Sequence, residues 1–110
     1  MTDRLMRLGA ITVVADTDTN LYTVPSGSST VVSTIMVCNR GSSAANFRIA
    51  TIDGAIGSVA NEDYLYYDVT VPGYDSFAAT IGATMEASNS LLVRSNSTNI
   101  NFVAFGNQVY

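Results

Sequence analysis

The side chains best suited to chemistry in this chain gather between residues 62 and 75. Glu62, Asp63, Asp68 and Asp75 are interleaved there with Tyr64, Tyr66, Tyr67 and Tyr74. Two carboxylates held close together could divide general acid and general base work on a glycosidic bond. Solvated acids at loops and strand edges account for the same residues without catalysis. The tyrosines admit three readings. Tyrosine joins a large apolar body to a polar tip and is enriched where one protein packs on another, so the first is contact with a neighbouring subunit. The second is ordinary half-buried strand packing, and the third is stacking on a glycan with the acids as hydrogen-bond partners. Residue type alone leaves all three open.

The other candidates for chemistry are weaker. The chain has no histidine, which excludes Ser-His-Asp and Cys-His arrangements and histidine-based zinc sites. Cys38 is alone, so no intrachain disulfide can form. It sits in an alternating apolar run and reads as a small packed hydrophobe rather than a nucleophile, which would need a cationic neighbour. Asp16, Asp18 and Asn20 open like a calcium loop, but Leu21 stands where that turn needs glycine and Gly27 where a bidentate glutamate belongs. A polar turn explains them. Asn96-Ser97-Thr98 matches a glycosylation pattern without any sign of secretion. The expectation is a protein that is not an enzyme and uses neither metal nor cofactor.

Composition points the same way. Only 13% of the 110 residues are charged, about half the usual share for soluble domains. Ser, Thr and Asn supply 33 positions. Short hydroxyl and amide side chains suit strand faces and turns, and such a surface is well made for touching other protein. Lysine is absent, the five cations are all arginine, and the net charge is −4. No basic patch is available to neutralise a run of phosphates, so nucleic acid is not an expected partner. The first 14 residues lack a long apolar stretch, so neither a signal peptide nor a membrane span is expected, and synthesis is placed in the cytoplasm.

The elements that must position these residues read as strands. Eight short candidates, near residues 10–15, 20–24, 30–39, 46–52, 64–71, 76–81, 90–96 and 99–106, are separated by turn-forming residues. Their number and spacing predict an all-β, single-domain antiparallel β-sandwich of jelly-roll or immunoglobulin-like type at residues 10–110. Within 30–38, strict alternation puts Val31, Ser33, Ile35 and Val37 on one face and Val32, Thr34, Met36 and Cys38 on the other. This run and 46–52 read as two strands facing each other across the turn Asn39-Arg40-Gly41-Ser42-Ser43. In the fifth strand Tyr64, Tyr66 and Asp68 fall on one face, Leu65, Tyr67 and Val69 on the other. The last two strands read as a hairpin through Ser97-Thr98, the final one apolar on both faces and therefore central or covered by a partner. Short helical turns are allowed near 58–63. Residues 1–9, with Arg4 and Arg7, read as an N-terminal arm or a frayed end.

The wording of these strands also matters. LYTVPSGSSTVVSTIMVCNR at 21–40, FRIA at 47–50, YLYYD at 64–68 and a closing FG at 105–106 resemble a group of small virion proteins of tailed bacteriophages. The likeness covers nearly the whole chain beyond Gly9. It departs at the end, where Asn107-Gln108-Val109-Tyr110 replaces a usual acidic residue, and in lacking a lysine near the middle turn. The resemblance implies a β-sandwich structural protein of the virion, contacting the major capsid protein or tail proteins, with no catalytic residues to carry over. Head decoration or cementing is the leading expectation, a tail, baseplate or fibre component the second, and a host-glycan-binding module the third. A homodimer or homotrimer is expected. Tyr64, Tyr66, Tyr67 and Tyr74 are the primary candidates for protein contact, with Arg40, Arg4 and Arg7 as secondary ones.

Overall fold

The computed structural model describes residues 3–110. Eight antiparallel strands form two four-stranded sheets: β1 (Asp3–Thr12), β2 (Thr19–Thr23), β3 (Ser29–Asn39), β4 (Ala45–Ile52), β5 (Tyr64–Val71), β6 (Ser76–Met85), β7 (Ser90–Ser95) and β8 (Ile100–Val109). The first sheet has the order β1-β8-β3-β6 and the second β2-β7-β4-β5. Pairs β1/β8, β2/β7, β3/β6 and β4/β5 are what results when one long antiparallel ribbon folds over on itself. This is the jelly-roll arrangement of an all-β sandwich. No helix among the described residues is long and apolar enough to cross a membrane.

Consecutive strands mostly lie in opposite sheets, which corrects two expectations. β3 and β4 are not partners: β3 pairs with β6 and β8, β4 with β5 and β7. Likewise β7 and β8 do not form a hairpin, because residues 96–99 carry the chain from one sheet to the other. The polar sequences at 40–44 and 96–99 suit hairpin turns and crossings equally. What separates them is tertiary bonding. Asn39, 2% exposed, donates through Nδ2 to the carbonyls of Ser43 (2.9 Å), Val71 (3.2 Å) and Pro72 (3.3 Å), and its Oδ1 accepts from the Gly41 N–H (2.9 Å). Arg40 donates to Asn101 Oδ1 (2.6 Å) and the Thr98 carbonyl (3.2 Å). Two adjacent residues thus tie together three crossing loops at one end of the sandwich.

The core lies between the sheets. Phe47 of β4 is fully buried and meets Phe77 of β6 at 5.4 Å between ring centroids and Phe102 of β8 at 6.1 Å. Ile35, Val37, Ile49, Leu91, Val93, Ile100 and Ala104 complete the layer. A polar clip joins the sheets nearer the other end, where the Tyr22 hydroxyl of β2 donates to Gln108 Oε1 of β8 and bonds Thr30 Oγ1 of β3, both at 2.8 Å. Burial pushes the Tyr22 hydroxyl above its ordinary pKa, so the bonding neutral form persists to high pH.

Strict alternation fails where strands bulge. Ser33 is an extra residue opposite β8, between the pairs Val32/Gly106 and Thr34/Phe105. The phase of β3 therefore changes at Ser33. Val32, Ile35 and Val37 face the core, while Val31, Thr34, Met36 and Cys38 face outward. Gly106 is required here, since a Cβ would collide with the Val31 carbonyl oxygen. At the beginning of the chain the division expected at Gly9 has no counterpart in the backbone. β1 runs through it, paired to β8, with a bulge between Arg7 and Gly9. Met1 and Thr2, the first residues of the expected arm, lie outside the described residues.

Two stability outcomes follow. Asn39→Asp keeps the shape but removes the amide donor facing three carbonyls, and urea denaturation should show a loss of about 2–4 kcal/mol. Tyr22→Phe leaves Thr30 and Gln108 short of a buried partner and should cost about 1–2 kcal/mol in the same measurement.

Candidate functional site

The residues expected to make contacts do not form one patch. Tyr64 and Tyr67 lie on the outer face of the second sheet, Tyr66 points inward, Arg40 and Tyr74 sit at the crossing-loop end, and Arg4 and Arg7 are on β1.

The division among the tyrosines comes from β5. Between the pairs Ile49/Tyr66 and Ala50/Tyr64 an extra residue, Leu65, is inserted, and near Asp68 the strand bulges again with φ of 52°. An aspartate tolerates that left-handed backbone better than most residues. Two irregularities within five residues break the period-two pattern. Tyr66 and Val69 both pack on the central core, with the Tyr66 ring 5.8 Å from Phe77 and 6.1 Å from Phe47. The expected placement of Tyr66 and Asp68 on one face is therefore corrected.

On the outer side, Tyr64 covers Ala50, Ile52 and Leu92 together with Ile56 and Val59 from the β4–β5 connection. This connection includes two single-turn 3₁₀ helices, Ile56–Ser58 and Asn61–Asp63. Tyr67 packs edge-on to Tyr64 at 5.0 Å, and the Arg48 guanidinium lies 4.1 Å over its ring. Arg48 in turn donates from Nε to Asp68 Oδ1 at 2.7 Å and from Nη2 to Oδ2 at 3.2 Å. The fork-to-fork pair fixes the guanidinium plane, and the plane fixes the tyrosine. Tyr67 is nevertheless 57% exposed and neighbouring Leu65 44%. A large amphipathic ring is thus presented to solvent in a held position.

Three acids of this face, Asp68, Asp18 and Asp63, are held in ion pairs or a backbone bond. Hydrogen bonding from Arg48 holds the Asp68 carboxyl below its ordinary value of 3.8, the reverse of what a general acid needs near neutral pH. Arg94 binds Asp18 at 3.1 Å, and Asp63 Oδ2 accepts the Ala60 N–H at 2.8 Å. No cluster of three or more His, Cys, Asp or Glu that could hold a metal occurs among the described residues. The polar notch beside Arg48 and Arg94 has a volume of about 50 Å³. A broader, open groove of about 400 Å³ runs between β2 and the β4–β5 connection, lined by Asn20, Thr23, Ser88, Ser90 and residues 54–56. It offers no aromatic ring on which a sugar could stack.

Arg40 is exposed but committed to the loop bonds described above, and Tyr74 beside it is 77% exposed, its N–H donating to the Gly41 carbonyl at 2.9 Å. Arg7 projects outward from β1, in register with Phe105, whereas Arg4 takes the other side, in register with Gln108.

A second surface, of which only Arg7 was among the expected contact residues, is the outer face of the first sheet. Four rows cross it in register: Leu5-Asn107-Val31-Thr84, Arg7-Phe105-Thr34-Thr80, Ala10-Val103-Met36-Ala78 and Thr12-Asn101-Cys38-Ser76. Leu5 is 85% exposed, Phe105 41% and Val31 38%. The signal was present in the sequence, since the last strand is apolar on both faces. β8 is central, flanked by β1 and β3, and its outer side is still uncovered.

The Arg48–Asp68 pair has a pH signature. Because the folded-state carboxyl titrates below 3.8, its stabilising contribution is complete above that pH and lost as pH falls through the depressed value. The ring-current shift that Tyr67 imposes on Arg48 protons should persist down through pH 3.8 in an NMR titration. Collapse of the shift well above that pH would contradict the geometry.

Neither protein-family models nor curated proteins match the chain, so its function rests on the chemistry and geometry of these surfaces.

Proposed function

We propose that this chain is a non-enzymatic structural protein of a tailed-phage virion, a capsid decoration protein that stabilises the shell by bridging its subunits. The observation that carries this reading is the held presentation of Tyr67 beside Leu65 on the outer face of the second sheet. Tyrosine and arginine dominate the energetics of protein contacts, and a ring already fixed loses little freedom on binding.

Three further points support it. Asp68, Asp18 and Asp63 beside this face are tied up in ion pairs or a backbone bond. The strand wording at 21–40 and 64–68 resembles small phage virion proteins. The jelly-roll order recurs in viral capsid domains and also in lectins, so architecture raises the expectation without deciding it. A bound copy would add its interface energy to the shell by mass action, opposing the pressure of packaged DNA.

The test is co-sedimentation of the purified protein with phage heads stripped of it and, separately, with isolated tails. Saturable binding to heads is expected, with Tyr67→Ala raising the dissociation constant by about tenfold or more. Binding to tails alone would overturn the decoration reading, and unchanged affinity of Tyr67→Ala would remove the proposed face.

A further inference from the structure

We infer that two copies of this chain pair back to back through the outer faces of their first sheets, placing both Tyr67 faces outward. The inference concerns the isolated protein and does not depend on where in a virion it sits.

Charge selects this face. Of the nine carboxylates, Asp16, Asp18, Asp53, Glu62, Asp63 and Asp68 lie around the second sheet's outer face or its covering connection, opposed there by Arg48 and Arg94. Six negative against two positive groups equals the net charge of the whole chain, −4. The remaining Asp3, Asp75 and Glu86 balance Arg4, Arg7 and Arg40. Two copies brought together through their second sheets would oppose like charges, whereas the first sheets meet without net repulsion. The four rows of that face contain no carboxylate and one formal charge, Arg7, on the edge strand. Asp3 stands one step beyond Leu5 on the same side of β1, close to where a partner's rim would pass.

Shape and size agree. The molecule is a slab with principal extents of 45 × 27 × 19 Å, so its sheet faces are its broad surfaces. Four strands over eight residues give a patch of about 19 by 26 Å, about 500 Å² in projection. Corrugated by side chains, this approaches the about 800 Å² per partner of a standard interface. Sheets stack readily face to face at this spacing.

Edge-to-edge association is blocked by contrast. β1 bulges between Arg7 and Gly9, β5 is irregular at Leu65 and Asp68, β6 carries extra residues at Ile81 and Gly82, and β2 has five residues and a bulge of its own. Irregular edges of this kind are a common defence against strand pairing between molecules. The open, carboxylate-free face of the first sheet is the remaining route, and a two-fold contact closes on itself.

Sedimentation equilibrium of the full chain tests this. A mass twice that of the chain is expected. Phe105→Asp and Thr34→Lys should each raise the dimer dissociation constant by about a hundredfold, because each would bury an unpaired charge at the contact. Both sites are at least partly exposed in the single chain, and unchanged circular dichroism would show that the monomers remain folded. Tyr67→Ala and Leu65→Asp should leave the dimer intact. A monomer at all concentrations, a dimer indifferent to Phe105→Asp and Thr34→Lys, a dimer lost with Tyr67→Ala, or an open series of higher oligomers would each overturn the pairing.

Discussion

The contact of Phe47 with Phe77 and Phe102 is the interaction on which the rest of the molecule depends. The jelly-roll path sends most consecutive strands into opposite sheets. Nothing in the hydrogen-bond ladders therefore holds the sheets to each other. That task falls to side chains meeting in the middle, and Phe47 sits where rings from both sheets converge. Its loss would leave a cavity large enough to cost about 3–5 kcal/mol, a large share of the stability of a domain this size. The Tyr22 clip and the Asn39–Arg40 knot act on either side of it, one fixing the separation of the sheets and the other the loops that cross between them.

With the two layers locked, irregularities in the strands decide what reaches the surface. Ser33 rotates the second half of β3 so that Met36 and Cys38 turn outward. Leu65 and Asp68 do the same for β5, sending Tyr66 inward and leaving Tyr67 outside beneath Arg48. The irregularities of β5 also disrupt an edge strand, of the kind that discourages pairing with other chains. Two broad faces with different chemistry result, one acidic and aromatic, the other nearly uncharged, with apolar and polar side chains in equal number across its four rows. Pairing through the first sheet's face would make a two-headed object whose aromatic faces point apart.

Much of the fold was legible because burial imposes period two on strands. Phe47 and Ile49 against Arg48, and Phe102 against Val103 and Phe105, take the faces that simple alternation assigns. The elements themselves fall close to their expected places, apart from β1, whose polar start hid a strand that pairs with β8 and packs Leu8 and Ile11 on the core. What alternation cannot reveal is where it is interrupted. Ser33 and Leu65 are unremarkable as residue types, Asp68 is only one of several aspartates that could take a left-handed backbone, and each bulge is defined by the register with a partner strand. Pairing was hidden for a related reason: the polar turns at 40–44 and 96–99 are as compatible with a crossing as with a hairpin. The bonds of Asn39 that distinguish the two reach residues 32 and 33 positions away. The candidate site was half legible for the same cause, since the tyrosine cluster is evident in sequence but its division between core and surface is set by the bulges.

The central claim is that the Arg48–Tyr67 face is a contact surface on a phage shell. A cryo-EM reconstruction of the particle, at a resolution that separates the two sheets, measures this most directly. Density for this fold is expected on the head, with the outer face of the second sheet against capsid subunits and the Tyr67 ring buried between them. Density for the fold at the tail alone, or on the head with the Tyr67 face turned to solvent, would contradict it.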